Sequence, residues 1–155
     1  MVKYELISEW FFDAPIERVW QEVCDPQGFS TWTEWWPDWK EMKHRGSGEI
    51  GVGSIIDCSV KGALPYTMHY QLEVGKIEAP HFNEHTVSGD LEGIGRWTLV
   101  ERDGGTAVTN YWNVGTTNPI LNFFGRFPFA KSMMEKNHAD IMARGYEGIK
   151  DRLAT

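Results

Sequence analysis

Two residues in the sequence, His138 and Asn110, place polar chemistry in an apolar setting. His138 follows Met134 and precedes Met142 at one-turn spacing, so on a helix it would lie on the covered apolar stripe. A histidine titrates near neutral pH, so its side chain can donate, accept or shuttle a proton. We therefore regard His138 as a candidate general acid/base or ligand contact, with a hydrogen-bonded core histidine as the alternative.

Asn110 lies in a predicted strand, where it shares a face with Val108, Trp112 and Val114. Because alternate residues of a strand face opposite sides, the apolar set should turn inward and carry the amide with it. An inward amide either satisfies local hydrogen bonds in the core or orients a ligand in a mostly apolar pocket. Both interpretations stay open at this stage.

One segment, from His81 to His85, has the His-x-x-Glu-His order of a zinc hydrolase. That motif requires a helix to bring both histidines onto one metal ion. Here Pro80 precedes the motif and the continuation to Ser88 has strand character, which would separate residues four apart by roughly 13 Å. A zinc ion bound at about 2.1 Å by each nitrogen cannot bridge that distance. We therefore predict no metal site.

Signals for a cofactor or a nucleophile are equally weak. Gly93-Ile94-Gly95 lacks the third glycine and the following helix of a dinucleotide-binding loop. The two cysteines, Cys24 and Cys58, are too few and too far apart in sequence for a zinc motif, and we expect buried free thiols. The prediction is a protein without a cofactor.

The elements that position these residues follow from periodicity and turn signals. Alternation predicts a first strand from Lys3 to Asp13, and Pro15 marks a helix that Asp25-Pro26 ends, with a further short turn before Trp32. Glycine-rich breaks then separate six more predicted strands. These are Asp38 to Arg45, Ser54 to Gly62, Tyr66 to Ile77, Phe82 to Ser88, Gly93 to Arg102 and Thr106 to Thr117. Such short connections predict antiparallel hairpins.

A long helix is predicted from about Pro128 to Leu153, after a short apolar segment from Ile120 to Phe127. Its apolar face comprises Met134, His138, Ile141, Met142, Gly145, Ile149 and Leu153. A helix with such a face must lie against apolar surface, and the curved sheet is the available one. The fold class is therefore α+β, a single domain over residues 1–155 with about seven strands, two short helices after the first strand and a long C-terminal helix.

Several motifs, taken in order, match a known family over nearly the whole chain. They are Asp13-Ala14-Pro15 with Val19-Trp20, Trp35-Trp36-Pro37, Leu64-Pro65-Tyr66, Gly89 to Gly93 with Gly95-Arg96-Trp97, Thr106 with Trp112-Asn113-Val114, and Asn137-His138. In these motifs the chain resembles the polyketide cyclase/dehydrase-like group of the START and birch-pollen-allergen superfamily. The resemblance implies the helix-grip fold and a deep cavity for an apolar or polycyclic small molecule. It does not imply a single activity.

Eight tryptophans exceed ordinary packing needs and suit either a crowded core or a cavity wall. Alternation along the predicted strands, together with the helix face, selects candidate ligand contacts and leaves His69 on the outer surface. The candidates are Trp10, Trp36, Tyr66, Met68, Trp97, Asn110, Trp112, His138 and Met142. The same alternation predicts no inward Lys or Arg that could stabilise an enolate.

Charge limits the partners. With 15 basic and 22 acidic residues the net charge is -7, which disfavours nucleic acid or an anionic membrane as a partner. No window approaches the roughly 20 apolar residues of a membrane span, and charged residues occupy the N-terminus where a signal peptide would be apolar. We expect a cytoplasmic protein without integral membrane association, whose oligomeric state the sequence does not indicate.

Three functional hypotheses follow. The first is a binding module, lipid-transport-like in mode, that encloses a hydrophobic or aromatic small molecule between sheet and helix, with Asn110 and His138 fixing its orientation. The second is a polyketide cyclase/aromatase- or dehydratase-like enzyme in which His138 is the general acid/base. The third, a regulatory or chaperone-associated module, has only fold analogy in its favour.

Overall fold

Seven antiparallel strands form one sheet in the computed structural model, which describes residues 1–154. In chain order they are β1 (Val2–Phe12), β2 (Trp39–Arg45), β3 (Ile55–Val60), β4 (Met68–Glu78), β5 (Phe82–Gly89), β6 (Leu91–Arg102) and β7 (Gly105–Thr116). Their order across the sheet is β1-β7-β6-β5-β4-β3-β2. Strands β2 to β7 thus form a meander, which confirms the predicted hairpins, and β1 pairs with β7.

The helix that follows the first strand and the long C-terminal helix lie where the sequence patterns predict them, whereas the short helix that begins at Pro119 was not predicted. The helices are α1 (Ile16–Val23), α2 (Trp32–Trp35), α3 (Pro119–Phe124) and α4 (Ala130–Leu153), and a 3-10 turn covers Pro26–Thr31. Two of these segments begin at side-chain caps, because Asp25 accepts from the Gln27 N–H at 3.0 Å and Asn118 accepts from the Ile120 N–H at 2.8 Å. None of the helices within residues 1–154 combines the length and the apolar character of a membrane span.

The inner face of the sheet carries the apolar residues. On β4, Tyr70, Leu72 and Val74 are buried, whereas His69 and Glu73 are exposed on the other face. The alternation predicted from the sequence is confirmed on this strand, and the register of β4 with β3 and β5 extends it across the sheet. The concave apolar face is what α4 covers.

Helix α4 lies against that face and is held closely there. A Cβ at Gly145 would come within 2.5 Å of the Trp36 ring, and one at Gly148 would collide with the Trp35 carbonyl. These glycines therefore let the helix backbone approach the two indoles. Arg144 donates to the Asp38 carboxylate at 2.7 Å, and Asp38 is only 3% exposed. The fold is α+β with the helix-grip arrangement that the resemblance implied.

Most of the indoles pack on one another. Trp36 lies at the centre of this cluster, with ring centroids 5.3 Å from Trp32, 5.4 Å from Trp35 and 5.7 Å from Trp39. Its Nε1 donates to the Ile141 carbonyl of α4 at 2.9 Å. The tryptophan-rich segment between α1 and β2 therefore fills the space between the sheet and α4.

Candidate functional site

A small hollow lies between the sheet and α4, and we call it the inner cavity. Its volume is about 70 Å³. Five indoles line it: Trp32, Trp36, Trp39, Trp97 and Trp112. Sites for drug-sized ligands occupy about 300–1,000 Å³, so the inner cavity has room for a few water molecules but not for a polycyclic ligand.

Three polar side chains, His85, Asn110 and His138, reach the inner cavity from three different elements. His85 projects from β5 and is 2% exposed, and Asn110 projects from β7 and is 5% exposed. Desolvation by burial lowers the pKa of His85 to about 4, an effect that the nearby Glu84 carboxylate opposes. The Nδ1 atom of His85 has no hydrogen-bond partner in the described part of the chain.

His138 lies on α4 where the inner cavity meets an outer cleft between α4 and β1. The outer cleft has a volume of about 640 Å³ and polar walls that include Lys3, Glu5 and Glu135. Burial lowers the pKa of His138 to about 4, and its Nε2 lies 3.5 Å from the Ser8 Oγ. At neutral pH both His85 and His138 are therefore uncharged, which is what an apolar site requires.

The depressed pKa of His85 predicts a loss of stability in mild acid. In the unfolded chain the imidazole binds a proton near its ordinary pKa of 6.5, whereas the folded protein resists this until about 4. Stability conferred by the neutral form is thus complete above 6.5 and falls as the pH drops through this window. Between pH 7 and pH 5 we expect the free energy of unfolding to fall by about 2 kcal/mol through His85.

Urea unfolding of wild type, His85→Gln and His69→Gln at both pH values measures this loss. His69 is exposed on the outer face of β4 and serves as the matched control. The pH-dependent loss should shrink by about 2 kcal/mol in His85→Gln and stay at the wild-type value in His69→Gln. An identical loss in all three proteins would contradict the burial of a neutral His85.

A larger apolar space opens at the end of the sheet where β1 and β7 meet the start of α4, and we call it the apolar groove. Its volume is about 400 Å³. The β3–β4 loop contributes Leu64, Pro65 and Tyr66, and α4 contributes Ala130, Met133 and Met134. Tyr4, Thr116 and residues of α3 complete the wall. The volume falls within the range of small-molecule sites, and the lining is mostly hydrocarbon.

Hydrogen bonds hold the loop side of the apolar groove in place. The Tyr66 hydroxyl accepts from Asn118 Nδ2 at 2.5 Å and donates to the Asp90 carboxylate at 3.3 Å. Asn118 also donates to Asp90 at 3.0 Å, which joins the β3–β4 loop to the residues before α3. The groove is therefore framed by connected segments rather than by a free loop.

Seven of the nine candidate contacts line the inner cavity. They are Trp36, Met68, Trp97, Asn110, Trp112, His138 and Met142. Trp10 instead packs in the core against Trp36 and Trp97, at ring-centroid distances of 5.8 and 5.4 Å. Tyr66 was expected on β4, but that strand begins at Met68, so Tyr66 lies in the preceding loop and lines the apolar groove.

His85 is the site residue that our sequence reasoning did not select. Its segment is a strand, as the sequence predicts. Within residues 1–154 no group of three or more His, Cys, Asp or Glu side chains is placed to hold a metal ion. Alternation from the buried Val87 places His85 inward as well. A Cβ at Gly95 would collide with the His85 imidazole and lie 2.8 Å from the Trp112 ring, so glycine is required beside them.

The two cysteines, Cys24 and Cys58, are free and buried. Burial, reinforced by neighbouring carboxylates, raises the pKa of both thiols above its ordinary value. A thiol that stays protonated is a poor nucleophile, so the geometry assigns both residues to the core.

The chain matches a known protein family. Residues 8–154 match the family model described as "Polyketide cyclase / dehydrase and lipid transport". Comparison with curated protein sequences gives no significant match.

Solved structures give 207 significant matches, and three of them illustrate the range. An aromatase/cyclase, Zhui from Streptomyces sp. R1128, has a TM-score of 0.75 at 12% identity, covering 98% of this chain and 94% of its own. A protein from Thermus thermophilus, TTHA0849, has a TM-score of 0.73 at 18% identity, with 94% and 97% covered. The major latex-like protein 151 of Panax ginseng has a TM-score of 0.71 at 10% identity, with 99% of each chain covered. At such identities these likenesses establish the fold.

Proposed function

Because the chain belongs to the polyketide cyclase/dehydrase and lipid transport family, we propose that it binds a hydrophobic or aromatic small molecule between the sheet and α4. The observation that carries this proposal is the apolar groove, with its volume of about 400 Å³. The apolar body of a lipid-like or polyketide-like ligand would lie there. Burying it would contribute about 25 cal/mol per Å² of apolar area before the costs of association are subtracted.

The inner cavity is not where we place the apolar body of the ligand. At about 70 Å³ it is too small for the body of a ligand, and it shares no lining residue with the apolar groove. The role proposed for Asn110 and His138, fixing the ligand's orientation, therefore requires the surrounding indoles to move apart. His85 joins them as a third polar group that a widened cavity would present to the ligand.

The enzymatic alternative, with His138 as general acid/base of a cyclase or dehydratase, has less support in the geometry. A catalytic base works best when its pKa is close to the operating pH, and burial lowers the pKa of His138 to about 4. The inner cavity beside His138 also lacks the volume for a folded polyketide chain, and the outer cleft, which has the volume, has polar walls. Binding without turnover is therefore the function that the site supports best.

Two fluorescence signals would test the proposal and locate the ligand. The neutral dye N-phenyl-1-naphthylamine brightens in apolar surroundings and should reach saturation at one molecule per chain. Members of a panel of fatty acids, quinones, flavonoids and polycyclic aromatics should displace it. Tryptophan emission, recorded with saturated fatty acids and without the dye, reports on the inner cavity, because these ligands do not absorb the emission and only this cavity of the two has indole walls. The dye itself would quench indole emission by energy transfer from either space.

Displacement of the dye with little tryptophan quenching by the displacing fatty acid is the expected result for a ligand in the apolar groove. Strong quenching of tryptophan emission by a ligand that also displaces the dye would instead indicate binding in the inner cavity. A dye signal that never reaches saturation, and that no panel member lowers, would contradict ligand binding.

A further inference from the structure

Apolar side chains gather on the surface around α3. Six residues, which we call the aromatic patch, are between 41% and 56% exposed: Ile120, Phe123, Phe124, Phe127, Phe129 and Met133. They make up six of the eleven exposed large apolar side chains in the described part of the chain, and they fall within fourteen consecutive residues. A soluble monomer seldom concentrates apolar surface in this way unless it meets a partner there.

The aromatic patch is a surface feature and not an exposed edge of the hydrophobic core. No residue of α3 is buried, and the phenyl rings of this segment pack against one another. Ring centroids lie 5.8 Å apart for Phe123 and Phe127 and 5.6 Å apart for Phe127 and Phe129. Four phenylalanine side chains of this segment are therefore about half exposed to solvent.

The charge around the patch differs from that of the whole chain. Between Pro119 and Met134 the sequence contains Arg126 and Lys131 but no acidic residue, although the net charge is -7. Arg126 is exposed and forms no ion pair within residues 1–154, and Lys131 reaches only Glu135, at 4.0 Å. Asp90, the acid beside Asn118, is already hydrogen-bonded by Tyr66 and Asn118.

We propose that the aromatic patch docks on the surface of a lipid bilayer that contains anionic headgroups. Phenyl rings would enter the boundary between headgroups and acyl chains, where amphipathic surface segments bind. Arg126 and Lys131 would contact anionic headgroups, which attract basic side chains near the membrane surface. Screening over about 8 Å makes these local charges matter more than the distant acids that give the chain its net charge.

A second copy of the chain fits the same patch less well. In a two-fold interface each copy presents the same residues, so Arg126 and Lys131 of one copy would approach those of the other. No acidic residue between Pro119 and Met134 is available to compensate them. An anionic membrane instead supplies the missing negative charge together with an apolar phase.

The patch is continuous with the mouth of the apolar groove. Ile120, Phe124, Phe129 and Met133 belong to both surfaces. Docking would therefore place the groove opening against the bilayer, so that an apolar ligand could pass between them without crossing water. This transfer route rests on the proposed function, whereas docking itself does not.

Flotation with vesicles tests the docking step directly. The full chain should float with vesicles of phosphatidylcholine containing about one third phosphatidylglycerol and bind pure phosphatidylcholine vesicles more weakly, since headgroup charge adds to the affinity. Phe123→Ser combined with Phe127→Ser should weaken binding about tenfold or more, because both rings lose their apolar burial. Neither residue lines the apolar groove, so dye binding should stay at its wild-type value.

A matched double variant, Val52→Ser with Val100→Ser, removes exposed apolar side chains elsewhere and should bind vesicles like the wild type. Arg126→Gln should weaken binding to the anionic vesicles selectively. The proposal would be overturned if the chain floated with neither vesicle type. Equal vesicle binding by the phenylalanine double variant and the valine double variant would also overturn it. A concentration-dependent dimer in analytical ultracentrifugation that Phe123→Ser with Phe127→Ser dissociates, without vesicle binding, would assign the patch to self-association instead.

Discussion

Replacing Trp36 with alanine is expected to lower the free energy of unfolding by about 3–5 kcal/mol, the usual cost of deleting a large buried aromatic side chain. Trp36 is 2% exposed, and its ring packs against the rings of five other tryptophans as well as against α4. Its removal leaves a void that these neighbours cannot fill without moving, and it also removes the hydrogen bond to Ile141. Urea unfolding measures the loss.

A conservative variant separates the two contributions. Trp36→Phe keeps an aromatic ring at the centre of the indole cluster but lacks the N–H that donates to Ile141. It should cost about 1–2 kcal/mol, the size of one buried hydrogen bond with some loss of packing. A loss below about 1 kcal/mol in Trp36→Ala would show that the cluster is not packed as described.

Free indole provides a second control on this variant. If the void left by Trp36→Ala keeps the shape of the missing ring, added indole should bind there and raise the unfolding midpoint of the variant. The wild type has no such void and should not respond. A collapsed site would show the stability loss without the rescue.

Placing a carboxylate in the apolar groove is expected to weaken ligand binding by about 50-fold. Met134 lines the groove from α4 and is half-buried, so an aspartate at this position would face the ligand. Desolvating the carboxylate against an apolar ligand costs on the order of 2–3 kcal/mol, which corresponds to this loss of affinity. Titration of Met134→Asp with N-phenyl-1-naphthylamine measures the change.

Met134→Leu is the matched control, because it keeps an apolar side chain of similar volume. It should bind the dye within about threefold of the wild type. Thermal unfolding of both variants establishes that each is folded at the temperature of the titration. Equal affinities for Met134→Asp and Met134→Leu would remove the apolar groove from the binding site.

The sheet could be predicted from the sequence because its faces alternate strongly. On β4 apolar and polar residues alternate from Met68 to Val74, and on β7 Asn110 has the same parity as the buried Val108 and Val114. The faces found for Tyr70, Leu72 and Asn110 follow directly from this alternation. The same argument applied to β5 would have placed His85 inside. The zinc site was excluded by the distance that an extended segment places between its two histidines, not by alternation, so the inward His85 was missed.

Tyr66 shows where alternation stops being informative. The pattern of β4 continues upstream into the loop, but pairing with β3 ends at Met68, opposite Val60. Beyond that point the Tyr66 hydroxyl is held by Asn118 and Asp90, which are remote in sequence. Contacts of this kind have no period, so the sequence could select Tyr66 as a candidate contact but could not predict its loop position or the apolar groove beside it.

The volume of the inner cavity depends on packing, which composition does not encode. An excess of tryptophan is compatible with a wide hollow or with a filled one, since an indole can line a ligand or fill the space itself. Here the hydrogen bond from Trp36 to Ile141 and the close approach of Gly145 bring α4 down onto the cluster. That long-range fit leaves about 70 Å³ and moves the roomier site to the apolar groove.

Methionine methyl groups offer the most direct test of where the ligand binds. The six methionines fall into three pairs. Met133 and Met134 line the apolar groove, Met68 and Met142 line the inner cavity, and Met1 and Met42 line neither space. In NMR spectra of protein labelled with ¹³C at these methyl groups, a ligand that displaces the dye should shift the first pair most and leave the third pair unmoved. Shifts confined to Met68 and Met142, or shared equally by all six, would contradict binding in the apolar groove.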